Sequence, residues 1–132
     1  MKLSAADYVI LIVEDLDRAL RFYTEALGLS LGHRSGDYAQ LATGATRLAL
    51  YTRNAMAKTL GMDLREPAQD APGFEIGFKV KDVDTAFAEL VERGVVPVTP
   101  PTTRFCGQRT AYIRDPDGHL IELAQEFHRP AK

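Results

Sequence analysis

The chain of 132 residues is 45% hydrophobic and 26% charged, with a formal net charge of −2, a balance that fits one globular domain with a sizeable core. Its lysines and arginines are scattered and Trp is absent, so neither a nucleic-acid partner nor an anionic membrane surface is expected. Cys106 is the only cysteine, which rules out an intrachain disulfide. The apolar run 8–13 is far too short to span a bilayer and no leader pattern is seen, so a cytoplasmic protein is expected.

Residues 8–13 read as a short apolar strand. Asp15 then stands where a helix N-cap belongs, and Leu16, Ala19, Leu20, Tyr23 and Leu27 recur at helical spacing. Gly28 supplies the left-handed backbone with which a helix often ends. Strands are expected at 30–34, 38–42 and 47–52, with turns at 35–37 and 43–45 between them. Residues 54–72, with Pro67 and Pro72, read as a linker, with a short helix around 55–60.

The pattern then starts again. Val13-Glu14-Asp15-Leu16-Asp17-Arg18-Ala19-Leu20 aligns with Val80-Lys81-Asp82-Val83-Asp84-Thr85-Ala86-Phe87, 67 positions later, with four of eight residues identical. The second copy predicts a strand at 75–80, an N-cap at Asp82, a helix through Val83, Ala86, Phe87 and Leu90, and a stop at Gly94. Strands at 95–98, 108–114 and 120–125 follow. Pro97 marks its strand as an edge, and Asp115-Pro116-Asp117-Gly118 is a turn signal. Leu48-Ala49-Leu50 and Ile121-Glu122-Leu123 close the two halves alike. The expected fold is therefore α+β: two βαβββ modules, about 5–53 and 73–126, in a single domain 1–132. Their strands would make a curved mixed sheet around a cleft, with helices on the outer face.

Alternation assigns the faces. Ile76, Phe78, Val80, Ile121, Leu123, Leu48 and Leu50 should meet the helices. Glu75, Gly77, Lys79, Leu120, Glu122, Ala124, Arg47, Ala49 and Tyr51 should face away, alongside Tyr38, Gln40, Gln108, Thr110 and Tyr112. Rings with a few neutral polar groups are the usual lining of a small-organic-ligand site.

These residues resemble the vicinal oxygen chelate superfamily, which includes glyoxalase I, extradiol dioxygenases, fosfomycin-resistance enzymes and bleomycin-resistance proteins. The pieces that carry the resemblance are Val13-Glu14-Asp15-Leu16-Asp17 with Phe22-Tyr23 and Leu27-Gly28-Leu29, and the run from Arg114 to Leu123. The resemblance implies paired modules around a cleft and a homodimer. It also implies that metal-dependent members draw ligands from the positions held here by Tyr8, Ala49, Glu75 and Glu122. Only Glu122 is of the usual ligand type. His or Gln is usual where Tyr8 stands, Glu where Ala49 stands and His where Glu75 stands.

Glu75 and Glu122 are thus the candidate catalytic residues. They can be read as oxygen ligands for a divalent metal, as a carboxylate pair with one raised pKa, or as carboxylates separately solvated or paired with Lys79, Arg47 or Arg109. Tyr8, Tyr38, Gln40, Arg47, Tyr51, Gln108, Thr110 and Tyr112 are the candidate ligand-binding residues, with Tyr8 a cleft wall or a rim tyrosine. Tyr23 is expected in the core. His33, His119 and His128 are expected on the surface, and Cys106 reads as an ordinary thiol. Neither a confident cofactor nor a metal site emerges. The expected function is small-molecule binding of the bleomycin-resistance type, with an aromatic or natural-product ligand as partner. The alternative is a lyase, isomerase or transferase, with or without a divalent metal, working through Glu122 and Glu75.

Overall fold

A computed structural model describes residues 1–66, 72–105 and 107–126. Pro67 in the linker, the Cys106 thiol and His128 in the tail lie outside the described residues. The chain divides into two compact units, Met1–Glu66 and Pro67–Lys132, each with one four-stranded mixed sheet.

In the first unit β1 (Tyr8–Val13) leads into α1 (Leu16–Arg21), which continues as a π-helical turn, Phe22–Ala26. Then come β2 (Leu31–Ser35), β3 (Tyr38–Leu41), β4 (Arg47–Thr52) and α2 (Arg53–Leu60). The strand order is β1-β4-β3-β2, with β1 parallel to β4 and the other pairs antiparallel. The second unit repeats this with β5 (Glu75–Val80), α3 (Val83–Glu92), β6 (Val96–Thr103), β7 (Arg109–Arg114) and β8 (Leu120–Gln125), in the order β5-β8-β7-β6.

The repeat is visible down to its caps. Asp15 accepts the Arg18 N–H at 3.1 Å, and Asp82 accepts the Thr85 N–H at 3.2 Å. Each carboxylate satisfies one donor that the first helical turn leaves orphaned. At the other ends Gly28 and Gly94 take positive φ, 77° and 87°. There the next N–H folds back onto the helix: Leu29 donates to the Tyr23 carbonyl at 2.9 Å and Val95 to that of Leu90 at 3.0 Å.

The first unit's core gathers Leu11 and Val13 from β1, Leu16, Ala19 and Tyr23 from the helix, and Leu48 and Leu50 from β4, all buried. Burying one such large apolar side chain stabilises by about 1.5–3 kcal/mol. In the second unit Val83 and Leu90 of α3 meet Ala111, Ile113, Ile121 and Leu123, again all buried. Ile76, Phe78 and Val80 on the edge strand β5 are half-buried.

Several boundaries differ from the sequence expectation; those expected at 42, 95 and 108 each move by one residue, to Leu41, Val96 and Arg109. The helix expected at 55–60 begins at Arg53, because the Thr52 side chain caps it by accepting the Ala55 N–H. The strand expected at 30–34 runs one residue later, over Leu31–Ser35. The strand expected to stop at 98 continues to Thr103 through Pro100 and Pro101. An edge strand with bulges tolerates these prolines: among the described residues β6 pairs only with β7, and its register shifts twice.

Candidate functional site

The second unit's sheet turns one face towards α3 and the other away from it. Register fixes what shares the away face. Thr99, Tyr112, Glu122 and Gly77 are successive cross-strand partners, so they form one row across β6, β7, β8 and β5. Thr102, Thr110, Ala124 and Lys79 form the next row on one side, and Glu75 stands one pleat from Gly77 on the other.

Within this row the Tyr112 hydroxyl donates to Glu122 Oε2 at 2.7 Å, a short bond strengthened by the acceptor's charge. Gly77 contributes no side chain beside it. A Cβ built there would meet Glu122 Oε1 at 3.7 Å and, among the described residues beyond its chain neighbours, nothing else within 4 Å. A recess therefore opens on the sheet, walled on one side by a carboxylate oxygen. The bond to Glu122, then burial, then the charges of Glu122 and Glu75 push the Tyr112 pKa up from 10.0 to about 12, against an opposing effect of Arg104. Tyr112 thus remains a protonated donor at neutral pH.

Arg104, in the loop after β6, lies over the same face. Its Nε donates to Thr110 Oγ1 at 2.8 Å, and its guanidinium carbon is 5.8 Å from the centre of the Tyr112 ring, within cation–π range. Thr110 is buried beneath this contact at 3% exposure. Gln108 closes the loop through its carbonyl, which accepts the Arg104 N–H at 2.8 Å.

The first unit gathers a second group on its own sheet. Tyr38 and Tyr51 are cross-strand partners whose rings meet edge to face, 6.0 Å between centres. Gln40 Nε2 donates to the Tyr38 hydroxyl at 3.1 Å, and the Tyr51 hydroxyl shares a 3.0 Å hydrogen bond with Thr59 on α2. Tyr8 and Arg47 are cross-strand partners at one end of the sheet and both are exposed. Ile10 and Ile12 lie on this face too, by their register with Ala49 and Tyr51.

Several sequence expectations are corrected. Arg109 is not a partner of Glu75 or Glu122. It points to the opposite side, where Nε and one terminal nitrogen clasp both Asp84 oxygens at 2.8 and 2.7 Å. That fork raises the Arg109 pKa and lowers that of Asp84. His119 is not a surface residue: its side chain is 15% exposed and its Nδ1 lies 2.7 Å from Oδ2 of the buried Asp115. The turn folds Asp115 inward, where Oδ1 also accepts the N–H groups of Asp117 and His119. Tyr23 is buried as expected, and His33 lies on the exposed strand β2.

The donor set does not fit the four-ligand metal centre that the resemblance implies. Ala49 is fully buried and its methyl group offers no lone pair. Glu122 already gives one oxygen to Tyr112. Among the described residues no three His, Cys, Asp or Glu side chains converge.

Comparison with known proteins agrees with the fold. The sequence profile of the Glyoxalase/Bleomycin resistance protein/Dioxygenase superfamily matches residues 5–123. The chain belongs to that superfamily, whose fold is the vicinal oxygen chelate fold. It is 34% identical over 117 residues to the uncharacterized protein YraH of Bacillus subtilis, covering 86% of this chain and 91% of that one. It is 28% identical over 129 residues to a probable lactoylglutathione lyase of Vibrio parahaemolyticus, covering 89% and 88%. A glyoxalase/bleomycin resistance protein/dioxygenase from Nocardioides superposes with a TM-score of 0.80 at 23% identity, covering 100% of this chain and 91% of that one. No helix among the described residues is long and apolar enough to cross a membrane.

Proposed function

We propose that this protein binds a small organic molecule, an aromatic compound or natural product, against the sheet face that carries Tyr112 and Glu122. The observation that carries this reading is the Tyr112–Glu122 hydrogen bond beside the Gly77 recess. It fixes a half-buried carboxylate in one orientation, with Oε1 open to a donor on a ligand, and sets an aromatic ring next to it. Recognition of this kind takes its affinity from apolar and aromatic contact and its orientation from a few fixed polar groups. Tyr38, Gln40 and Tyr51 form a similar aromatic and neutral polar surface in the first unit. Gln108 is assigned a supporting contact on the second unit's face, and Tyr8 and Arg47 are assigned to the first unit's own surface. Binding is proposed to need no metal, since Ala49 and Tyr8 stand where ligands would be required. Two copies of the chain are proposed to pair as a homodimer in the cytoplasm.

A thermal-shift screen of aromatic and natural-product compounds tests the reading. A hit should lose affinity when Tyr112 is truncated, by roughly 1–3 kcal/mol for a contacting ring. Equal binding by wild type and by the Tyr8, Tyr51 and Tyr112 truncations would defeat it.

A second reading is favoured by the Vibrio relative's name and by the two carboxylates Glu75 and Glu122. It makes the chain a lyase, isomerase or transferase. It predicts that Glu122→Gln or Glu75→Gln abolishes turnover while binding survives. Assay for lactoylglutathione formation is the direct check.

A further inference from the structure

Arg104 and Glu122 flank the same tyrosine without meeting each other. Glu122 holds the Tyr112 hydroxyl, and Arg104 lies over the Tyr112 ring. Among the described residues no ion pair joins the two. Opposite charges so close on one face would ordinarily close on one another. Here each is restrained: Glu122 by Tyr112, and Arg104 by the bond from its Nε to the buried Thr110 hydroxyl. That bond occupies the side of the guanidinium and leaves its far end. Among the described residues the two terminal nitrogens of Arg104 donate no hydrogen bond to the protein.

Two parallel N–H groups at the end of a fixed guanidinium match a planar or tetrahedral oxyanion in bidentate fashion. Glu122 Oε1, walling the Gly77 recess on the other side of the ring, matches a hydrogen-bond donor. Both side chains are only half-exposed, so a ligand group bound between them would be better shielded from water than on an open surface.

Resting on the binding reading above, we infer that the ligand is an organic anion, a carboxylate or a phosphate monoester, whose oxyanion is held by Arg104. A hydroxyl or amino group elsewhere on it is held by Glu122. Arg104 is then the residue that selects for the anion, and Thr110 is a positioning residue that aims it. A neutral aromatic compound would leave the guanidinium terminus unsatisfied once the face is covered, which is costly.

The inference is tested with matched pairs: hydroxy- and amino-substituted benzoic acids, each beside its primary carboxamide, and phenyl phosphate as a further arm. All are titrated by NMR into wild type, Arg104→Met and Arg104→Lys, with the melting temperature of each variant checked. In wild type the acids should bind about ten-fold or more tighter than their amides, the strength expected of a charge-assisted fork. Arg104→Met should erase that difference, the acids losing affinity relative to their amides. Arg104→Lys, which keeps the charge but loses the fork, should retain only part of it and serves as the deciding variant if Arg104→Met does not fold. Phenyl phosphate binding more tightly than benzoate would identify the oxyanion as a phosphate monoester, and the reverse order as a carboxylate. Acids and amides binding equally well to wild type would overturn the inference and leave the binding reading standing. Binding by no probe in the set would overturn the inference, while the thermal-shift screen decides the binding reading.

Discussion

Tyr112 and Glu122 sit directly opposite each other on β7 and β8, and the phenol of one donates to the carboxylate of the other at 2.7 Å. Their sequence separation is set by the Asp-Pro-Asp-Gly turn, so a hairpin alone brings them together. The tyrosine's acidity reports on the contact. Its native pKa of about 12 lies above the ordinary 10.0, so the folded state prefers the protonated ring. The stabilisation is therefore whole below pH 10.0 and is lost as pH rises towards about 12. The tyrosinate absorbance difference between wild type and Tyr112→Phe should place this ring's ionisation well above 10.0. Glu122→Gln should bring it down, because the charge that opposes ionisation is gone. A Tyr112 that titrates at its ordinary value would mean that the bond does not persist in solution.

The same bond contributes to stability. Tyr112→Phe should cost about 1.5–3 kcal/mol, the usual net worth of a hydrogen bond to a charged group. Glu122→Gln should cost less, since its amide oxygen still accepts. Urea unfolding at neutral pH measures both.

Gly77 separates stability from binding. A Cβ there makes only ordinary contact with Glu122 Oε1, at 3.7 Å, and φ at this position is not positive. Gly77→Ala should therefore fold with equal or slightly greater stability, by up to about 1 kcal/mol, through the smaller entropy of its unfolded chain. Yet it fills the recess and should weaken any ligand found by screening. A destabilised variant would contradict the expected fit of the Cβ, and one that binds as wild type does would show that the recess is not used.

Asp84 and Arg109 tie α3 to β7 on the far side of the sheet. The Asp84 carboxyl is held below its ordinary 3.8, chiefly by the Arg109 hydrogen bonds. Its contribution is thus present above pH 3.8 and is lost as pH falls through the lower native value. Asp84→Asn should flatten the acid limb of the stability curve in that window. Added salt should shrink the effect, because the pair is exposed to solvent.

Most of the fold was legible because the repeat wrote it twice. Asp15 and Asp82 marked both helix starts, Gly28 and Gly94 both ends, and Leu48-Ala49-Leu50 and Ile121-Glu122-Leu123 the strands that close each unit. Period-two alternation also placed Gly77, Tyr112 and Glu122 on one face. It could have placed Arg109 as well, since that residue alternates with Ala111 and Ile113 on the helix side; pairing it with Glu75 or Glu122 ignored that pattern. Arg104 was harder to see. It follows a bulged, proline-rich edge strand where alternation fails, and its place over Tyr112 depends on a loop closed by the Gln108 carbonyl. The inward turn of Asp115 and His119 was likewise hidden, because a turn signal predicts backbone geometry and not which side chains it buries.

The proposed absence of a metal is checked by chelation. Dialysis against EDTA should leave the melting temperature unchanged and should yield protein without stoichiometric metal. A fall of several degrees would mean that Glu75 and Glu122 recruit ligands beyond those described.

The account rests on the sheet face of Tyr112 and Glu122 being where a ligand sits, and amide chemical-shift mapping with a screened ligand tests this most directly. The account predicts that the largest perturbations fall on β7, β8 and the loop before β7, at Thr110, Tyr112, Glu122 and Arg104, and that Tyr112→Phe and Gly77→Ala reduce them. Perturbations confined to the helix-facing side or to other elements, with β7 and β8 unmoved at saturating ligand, would contradict it.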